Sequence, residues 1–227
     1  MGAKTRPTHP IGGAPTVEFS GYTWAIKSSA GLVGPGPNVF SARRSNVWIG
    51  DSGQLHLRIT NRDERWLCAE VILNHSLGYG AYCFSVSSPI GALDPNVVLG
   101  LFIWSDDPAY NHREVDIEFA RWANLGDPTN AQYVVQPDAQ PGHVRRFSQP
   151  TSVAPSLHGF SWTPKGVSFV SATSSRQPIA RWMYTGADVP QSGDERPHMN
   201  LWLDGAAPPT DGAEVEVVLS AFTFTQL

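Results

Sequence analysis

The sequence predicts an all-β protein, a jelly-roll sandwich of two curved antiparallel sheets. Three observations carry the prediction. Short alternating or apolar runs recur along the whole chain, divided by Gly, Pro, Asn and Ser turns. No window of a dozen residues shows a clean 3.6-residue period, so helices are not expected. The chain of 227 residues carries no internal repeat, low-complexity block or domain-like linker, and this length suits one sandwich.

Taken in order, residues 1–15 are rich in Pro and Gly and read as a flexible tail, leaving residues 16–227 as a single domain. "TVEFSGYTWAIKSS" is strand-like, and "GLVGPGPNVFS" is a Gly/Pro loop. "NVWIGDSGQLHLRIT" reads as two strands joined at Gly50-Asp51-Ser52-Gly53, with Leu55, Leu57 and Ile59 on one face. "WLCAEVILN" and "GYGAYCFSVSSP" read as an antiparallel pair turning around Ser76-Leu77-Gly78. The near-continuous apolar run "NVVLGLFIWS" predicts a strand buried on both faces. "REVDIEFARW", "AQYVVQPD", "HGFSWTP", "GVSFVSA", "HMNLWLDG" and "EVEVVLSAFTFTQ" complete the strand series.

Composition excludes several function classes. Sixteen basic residues face 20 acidic ones, for a net charge of −4, with no Lys/Arg run; nucleic acid is not an expected partner. No segment approaches the 18 or so apolar residues of a membrane span. The N-terminal "MGAKTRPTHPIGGAPT" lacks the apolar core of a signal peptide, and Arg6 stands where a myristoylation signal requires Ser or Thr. Eight Trp, six Tyr and ten Phe are many for this length, and planar rings suit the flat C–H faces of sugars. The two cysteines, Cys68 and Cys83, are too few for a disulfide framework. On neighbouring strands they could form one bridge or remain two buried thiols.

The stretch "REVDIEFARW" carries the chemistry. Side chains at i, i+2 and i+4 of a strand share a face. Glu114, Asp116 and Glu118 therefore project together, followed on that face by Ala120 and Trp122, while Val115, Ile117 and Phe119 point into a core. Acids are depleted in strands, so three of them with no intervening cation suggest a task, although a solvated outer face is the plain alternative. Clustered carboxylates can bind calcium. They can also perform retaining glycoside hydrolysis, which needs two carboxyl groups about 5–5.5 Å apart. Residues four apart on a flat strand are separated by about 13 Å, so this second use requires a concave sheet.

Beyond spacing, "EVDIEF" resembles the E-x-D-x-E signature of glycoside hydrolase family 16, which includes laminarinases, lichenases, agarases and xyloglucan endotransglycosylases. "LCAEVILNHSLGYGAYCFSV", "VVLGLFIW", "SWTPKGVSF" and "MNLWLDG" resemble further family segments in the family's order, over about residues 17–225. The resemblance implies a concanavalin-like jelly roll with a sugar cleft on its concave face. It implies Glu114 as nucleophile, Glu118 as general acid/base and Asp116 as the residue tuning both. It further implies a substrate-binding set of Asn38, Glu70, Trp104, Tyr110, His112, Trp122, Asn200 and Trp202, with each Trp alternatively a core ring and Tyr110 and His112 alternatively loop residues. The motif lacks the residue that some members insert before the last Glu, which leans towards the lichenase and xyloglucan-active types.

Departures from the family pattern bear on substrate. His112 stands where lichenases carry Trp, and Ile72 where a polar contact is usual. Ser41 replaces the lichenase disulfide partner of Cys68. Ser220 stands in the position of a calcium-binding carboxylate, so no tightly held calcium is expected. The resemblance implies an endo-acting, retaining β-glucan hydrolase on β-1,3 or mixed β-1,3/1,4 linkages, monomeric, with no cofactor and no metal. A transglycosylase and a catalytically silent lectin-like module are the alternatives. An enzyme on extracellular polysaccharide is exported, so a secreted protein without its leader is the expectation, and a cytoplasmic one the alternative.

Overall fold

The computed structural model describes residues 13–227. Most of the expected N-terminal tail lies outside the described residues, and at its end Pro15 already accepts a backbone hydrogen bond from Ile26 at 2.7 Å. Sixteen strands follow: β1 (Thr16–Phe19), β2 (Tyr22–Ile26), β3 (Val39–Phe40), β4 (Val47–Ile49), β5 (Leu55–Arg62), β6 (Arg65–Leu73), β7 (Gly80–Val86) and β8 (Val97–Trp104) form the first half. The second half holds β9 (Val115–Phe119), β10 (Ala131–Val135), β11 (Val144–Phe147), β12 (Ser156–Thr163), β13 (Gly166–Thr173), β14 (Pro178–Tyr184), β15 (Arg196–Leu203) and β16 (Val215–Gln226). Helical structure among the described residues is confined to three 3₁₀ turns, and no helix is long and apolar enough to cross a membrane.

The strands form a curved jelly-roll sandwich. One layer runs β11-β10-β9-β8-β15-β6-β2-β1, and the other runs β4-β5-β16-β7-β12-β13-β14. The β5–β6 hairpin belongs to both and joins them into one hydrogen-bonded path. The named pairs are antiparallel apart from β3, which runs parallel to β6.

Alternation builds the core between the layers. Val115, Ile117 and Phe119 of β9 are buried there with Tyr133 of β10 and Leu99, Leu101 and Ile103 of β8. They meet aromatic residues of the opposite layer: Tyr133 stacks on Phe169 of β13 with centroids 4.9 Å apart, and Trp24 of β2 packs edge-on against Phe222 of β16 at 5.2 Å. The run "VVLGLFIW" is buried at all eight positions of β8, as its continuous apolarity predicts.

Two expectations are corrected. The strands around Ser76-Leu77-Gly78 do not pair. β6 lies between β15 and β5, β7 lies between β16 and β12, and the intervening segment crosses from one layer to the other. This separates the cysteines, and both are free thiols. Burial pushes the Cys68 thiol up to about 12 and raises that of Cys83, so neither is a ready nucleophile. β11 and β14 were not expected, because Arg145, Arg146 and Arg181 interrupt their apolar pattern.

Two predictions follow from the core. Phe169 is 1% exposed and touches the rings of Tyr133, Phe160 and Trp182; Phe169→Ala should cost about 3–5 kcal/mol, read from urea unfolding. His158 is fully buried behind Phe119 (4.6 Å), its two ring nitrogens on the hydroxyls of Ser171 and Ser156. Burial lowers its pKa to about 3. The unfolded imidazole takes up a proton near pH 6.5 and the folded one does not, so stability should decline as pH falls from about 6.5 towards 3, by about 2 kcal/mol at pH 5. Urea unfolding at pH 7.5 and 5 should show that this part of the decline is absent in His158→Asn.

Candidate active site

Cross-strand partners project to the same face of a sheet, so the register identifies what shares a surface with the acids. Glu118 lies opposite Gln132 on one side and Gly100 on the other; Gly100 lies opposite Asn200, and Asn200 opposite Glu70. One row thus crosses five strands of the first layer, on the face turned away from the core. The neighbouring row is Val134, Asp116, Phe102, His198 and Ile72.

A cavity of about 280 Å³ opens on this face, lined by Trp104, Glu114, Glu118, Trp122, Gln132, Gln136, Asp138, Val144 and Trp202. Glu114 and Glu118 therefore face one space. Between them, Asp116 is 3% exposed. β10 and the residue that follows it hold two of the acids: the Gln132 amide donates to Glu118 Oε2 at 2.7 Å, and the Gln136 amide donates to Asp116 Oδ2 at 3.4 Å. Arg146 of β11 in turn donates to Gln132 Oε1 (3.2 Å) and is anchored by Asp127 (3.0 Å), so a chain of polar contacts runs from the sheet edge to Glu118. Sequence reasoning missed Gln132, Gln136, Asp138 and Val144. The alternation of Gln132, Val134 and Gln136 in "AQYVVQPD" was the available signal, once β10 is recognised as the neighbour of β9.

The segment feeding Glu114 has an unusual backbone. Tyr110, Asn111, His112 and Arg113 all have positive φ, between 52° and 62°, a left-handed turn that costs roughly 1–2 kcal/mol per non-glycine residue. Contacts hold it in place. Ser105 N donates to His112 O (2.8 Å), and His112 Nδ1 donates back to Ser105 O (2.9 Å). The His112 ring stacks on Trp104 with centroids 4.0 Å apart and a 10° tilt. Arg113 bonds Asp107 (3.0 Å) and Gln191 O (3.1 Å).

The remaining predicted site residues divide into two groups. Trp104, Trp122 and Trp202 reach the cavity, with Trp122 and Trp202 6.0 Å apart. Trp122 does so from a left-handed turn beyond the end of β9 (φ 53°), not by strand alternation, and Ala120 packs into the apolar cluster. Asn38, Glu70, Tyr110, His112 and Asn200 do not line the cavity. Tyr110 is 46% exposed, under the Arg113 guanidinium (5.3 Å). His112 backs Trp104, which lines the cavity. Asn38 braces its loop: its amide donates to Pro35 O (2.9 Å) and Leu203 O (2.8 Å). Glu70 is fully buried, bonded to Lys27 (2.7 Å) and His198 (2.8 Å). Asn200 is 1% exposed and accepts from Gly100 N at 3.1 Å. At the two departures noted in the sequence, Ser220 Oγ donates to Ser85 O (3.4 Å), and Ser41 N donates to Cys68 O (3.0 Å). Among the described residues no group of three or more His, Cys, Asp or Glu is placed to hold a metal ion.

No family model and no curated protein matches this sequence. Solved structures match its fold along almost the whole chain. A β-glucanase of Bacillus licheniformis superposes with a TM-score of 0.67 at 17% identity, covering 90% of this chain and 92% of that one. A β-1,3-glucanase of Mycobacterium marinum gives 0.69 at 14% identity over 96% and 95%. A Mycobacterium tuberculosis protein described as an immunostimulatory antigen and pseudo β-1,3-glucanase gives 0.64 at 17% identity over 90% and 91%. The chain has the fold of these proteins.

Gly100 leaves no room for a side chain in the row of polar residues: a Cβ there would sit 2.5 Å from Asn200 Oδ1. Gly100→Ala should therefore displace the Asn200 amide and cost about 1–3 kcal/mol, measured by thermal unfolding.

Proposed function

We propose that the protein is a retaining glycoside hydrolase acting on β-linked glucan. The observation that carries the reading is the single cavity faced by Glu114 and Glu118, with Asp116 between them and three Trp rings on its walls. In this reading, the Glu114 carboxylate attacks the anomeric carbon as Glu118 delivers its proton to the departing glycosidic oxygen. The covalent glycosyl–Glu114 ester is then hydrolysed by water, whose proton returns to Glu118. Gln132 occupies Glu118 Oε2, leaving Oε1 for the proton. Asp116 lies between the two glutamates and tunes both. The Trp rings offer apolar faces to pyranose C–H groups, and His112 stiffens Trp104 from behind.

The named activities of the fold neighbours, β-glucanase and β-1,3-glucanase, support glucan as the substrate and agree with the E-x-D-x-E resemblance. A substrate of this kind lies outside the cell, which favours export. The binding-only alternative has one point in its favour, the neighbour described as a pseudo β-1,3-glucanase; the intact acid trio favours hydrolysis.

Reducing-sugar release should be measured on laminarin, lichenan and barley β-glucan. Glu114→Gln should lose nearly all of it while keeping its unfolding temperature, and unchanged turnover would overturn the assignment. Glu118→Ala should lose about 10²–10⁴-fold on glucan and much less on aryl glycosides with good leaving groups, which need less protonation. Equal losses on both would exclude Glu118 as the acid.

A further inference from the structure

A glutamine amide has two nearly identical ends of opposite character: its oxygen accepts, its nitrogen donates, and a half-turn exchanges them with little change of shape. Gln132 stands between two groups that have no such ambiguity. The register puts Arg146 of β11 opposite Gln132 and Gln132 opposite Glu118 of β9, so the three side chains follow one another across three strands on the cavity face. A guanidinium has donors only. The Gln132 oxygen must therefore be the atom that faces Arg146, 3.2 Å from Nη1. The Gln132 nitrogen is thereby turned to Glu118 Oε2, 2.7 Å away. Arg146 is itself firmly held. Nε donates to Thr129 Oγ1 (2.9 Å), Nη1 also donates to Ala120 O (3.3 Å), and Nη2 donates to Asp127 Oδ2 (3.0 Å) and Thr129 O (3.1 Å). These contacts use every N–H of the guanidinium, and the hydroxyl and backbone N–H of Thr129 hold the Asp127 carboxyl below its usual range.

We propose that Arg146 is a positioning residue for the general acid: by fixing the polarity of the Gln132 amide, it keeps the proton of Glu118 on Oε1 and off Oε2. The proposal rests on the glucanase reading above and adds to it a residue outside the cavity lining. With the amide nitrogen on Oε2, a proton on that oxygen would meet a donor. Protonated Glu118 therefore carries it on Oε1, from which it passes to the departing glycosidic oxygen. Once Glu118 is ionised, the same amide donates to the carboxylate while it acts as base on the incoming water. Without Arg146 the amide can invert. Its oxygen then accepts the Glu118 proton, which favours the protonated form and ties down the proton that the reaction needs. On this face Glu118 is accompanied by the acids Glu114, Asp116 and Asp138 and by the cation Arg146, while β8 and β15 contribute Gly100 and Asn200. A cation favours an ionised carboxyl whatever the amide does, so charge and amide polarity must be separated.

The experiment follows kcat/KM against pH on a soluble β-glucan oligosaccharide for the wild type, Arg146→Met, Gln132→Met and the double variant. The alkaline limb reports the general acid of the free enzyme. Gln132→Met removes the donor and should move that limb up by about one pH unit. Arg146→Met should move it up at least as far. It should also lower kcat/KM on the glucan about tenfold, with a much smaller loss on an aryl glycoside whose leaving group needs little protonation. The double variant should match Gln132→Met, because Arg146 acts through the amide. A further rise of the limb in the double variant would mean that Arg146 acts by its charge and would overturn the proposal. An unmoved limb in Arg146→Met with equal losses on both substrates would also overturn it, since that is the result if Arg146 merely steadies the 120–130 segment that carries Trp122. If Arg146→Met does not fold, Arg146→Thr, a strand-forming residue too short to reach the amide, takes its place in the same cycle. Either contrary result in an active wild type leaves the glucanase reading intact. Absence of reducing ends from glucan with the wild type would overturn that reading and the proposal with it.

Discussion

The site depends on the two-residue period of one interior strand. β9 has neighbours on both sides and a packed core on one face, so its register cannot slip by one residue without turning Val115, Ile117 and Phe119 outward and the acids inward. The apolar stripe is thus what aims Glu114, Asp116 and Glu118. The polar surroundings are built by the same rule applied to the neighbouring strands: Gln132 comes opposite Glu118, and Gly100 supplies the space in which Asn200 lies flat on β8.

Much of this was legible in the sequence because it is local. The strands β8 and β9 show themselves by continuous and alternating apolarity, and the β4–β5 turn by its Gly-Asp-Ser-Gly sequence. What was not legible is non-local. β6 and β7 adjoin in sequence and look like a hairpin, yet the short connection between them passes from one layer to the other, and no residue of the turn announces this. The same applies at the site. Glu70 and Asn200 fall on the expected face but both are buried; the partners fixed around them are non-local, Lys27 on Glu70 and Asn38 on Leu203 O, contacts spanning 43 and 165 residues of chain. Trp122 reaches the cavity from a left-handed turn for which its sequence, lacking glycine, gives no sign.

The walls of the cavity differ in how firmly they are held. Trp104 is backed by a stacked imidazole whose own backbone is held in the left-handed region by reciprocal bonds with Ser105. Such backbone persists only where its surroundings over-determine it. The Arg113 side chain, bonded to Asp107 and Gln191, supplies part of that support from outside the cavity. His112, one of the positions at which the sequence departs from the pattern it resembles, is therefore a structural brace for a neighbouring ring.

The last strand carries a consequence for biosynthesis. β16, residues Val215–Gln226, is inserted between β5 and β7, strands made some 130 residues and more before it. Until it emerges from the ribosome, the second layer is split in two: β4 and β5 on one side, β7 and β12 to β14 on the other, with facing edges unpaired. Open strand edges of that kind recruit other chains, and pairings so distant in sequence form slowly. The second layer therefore stays unclosed until β16 pairs with both edges at once.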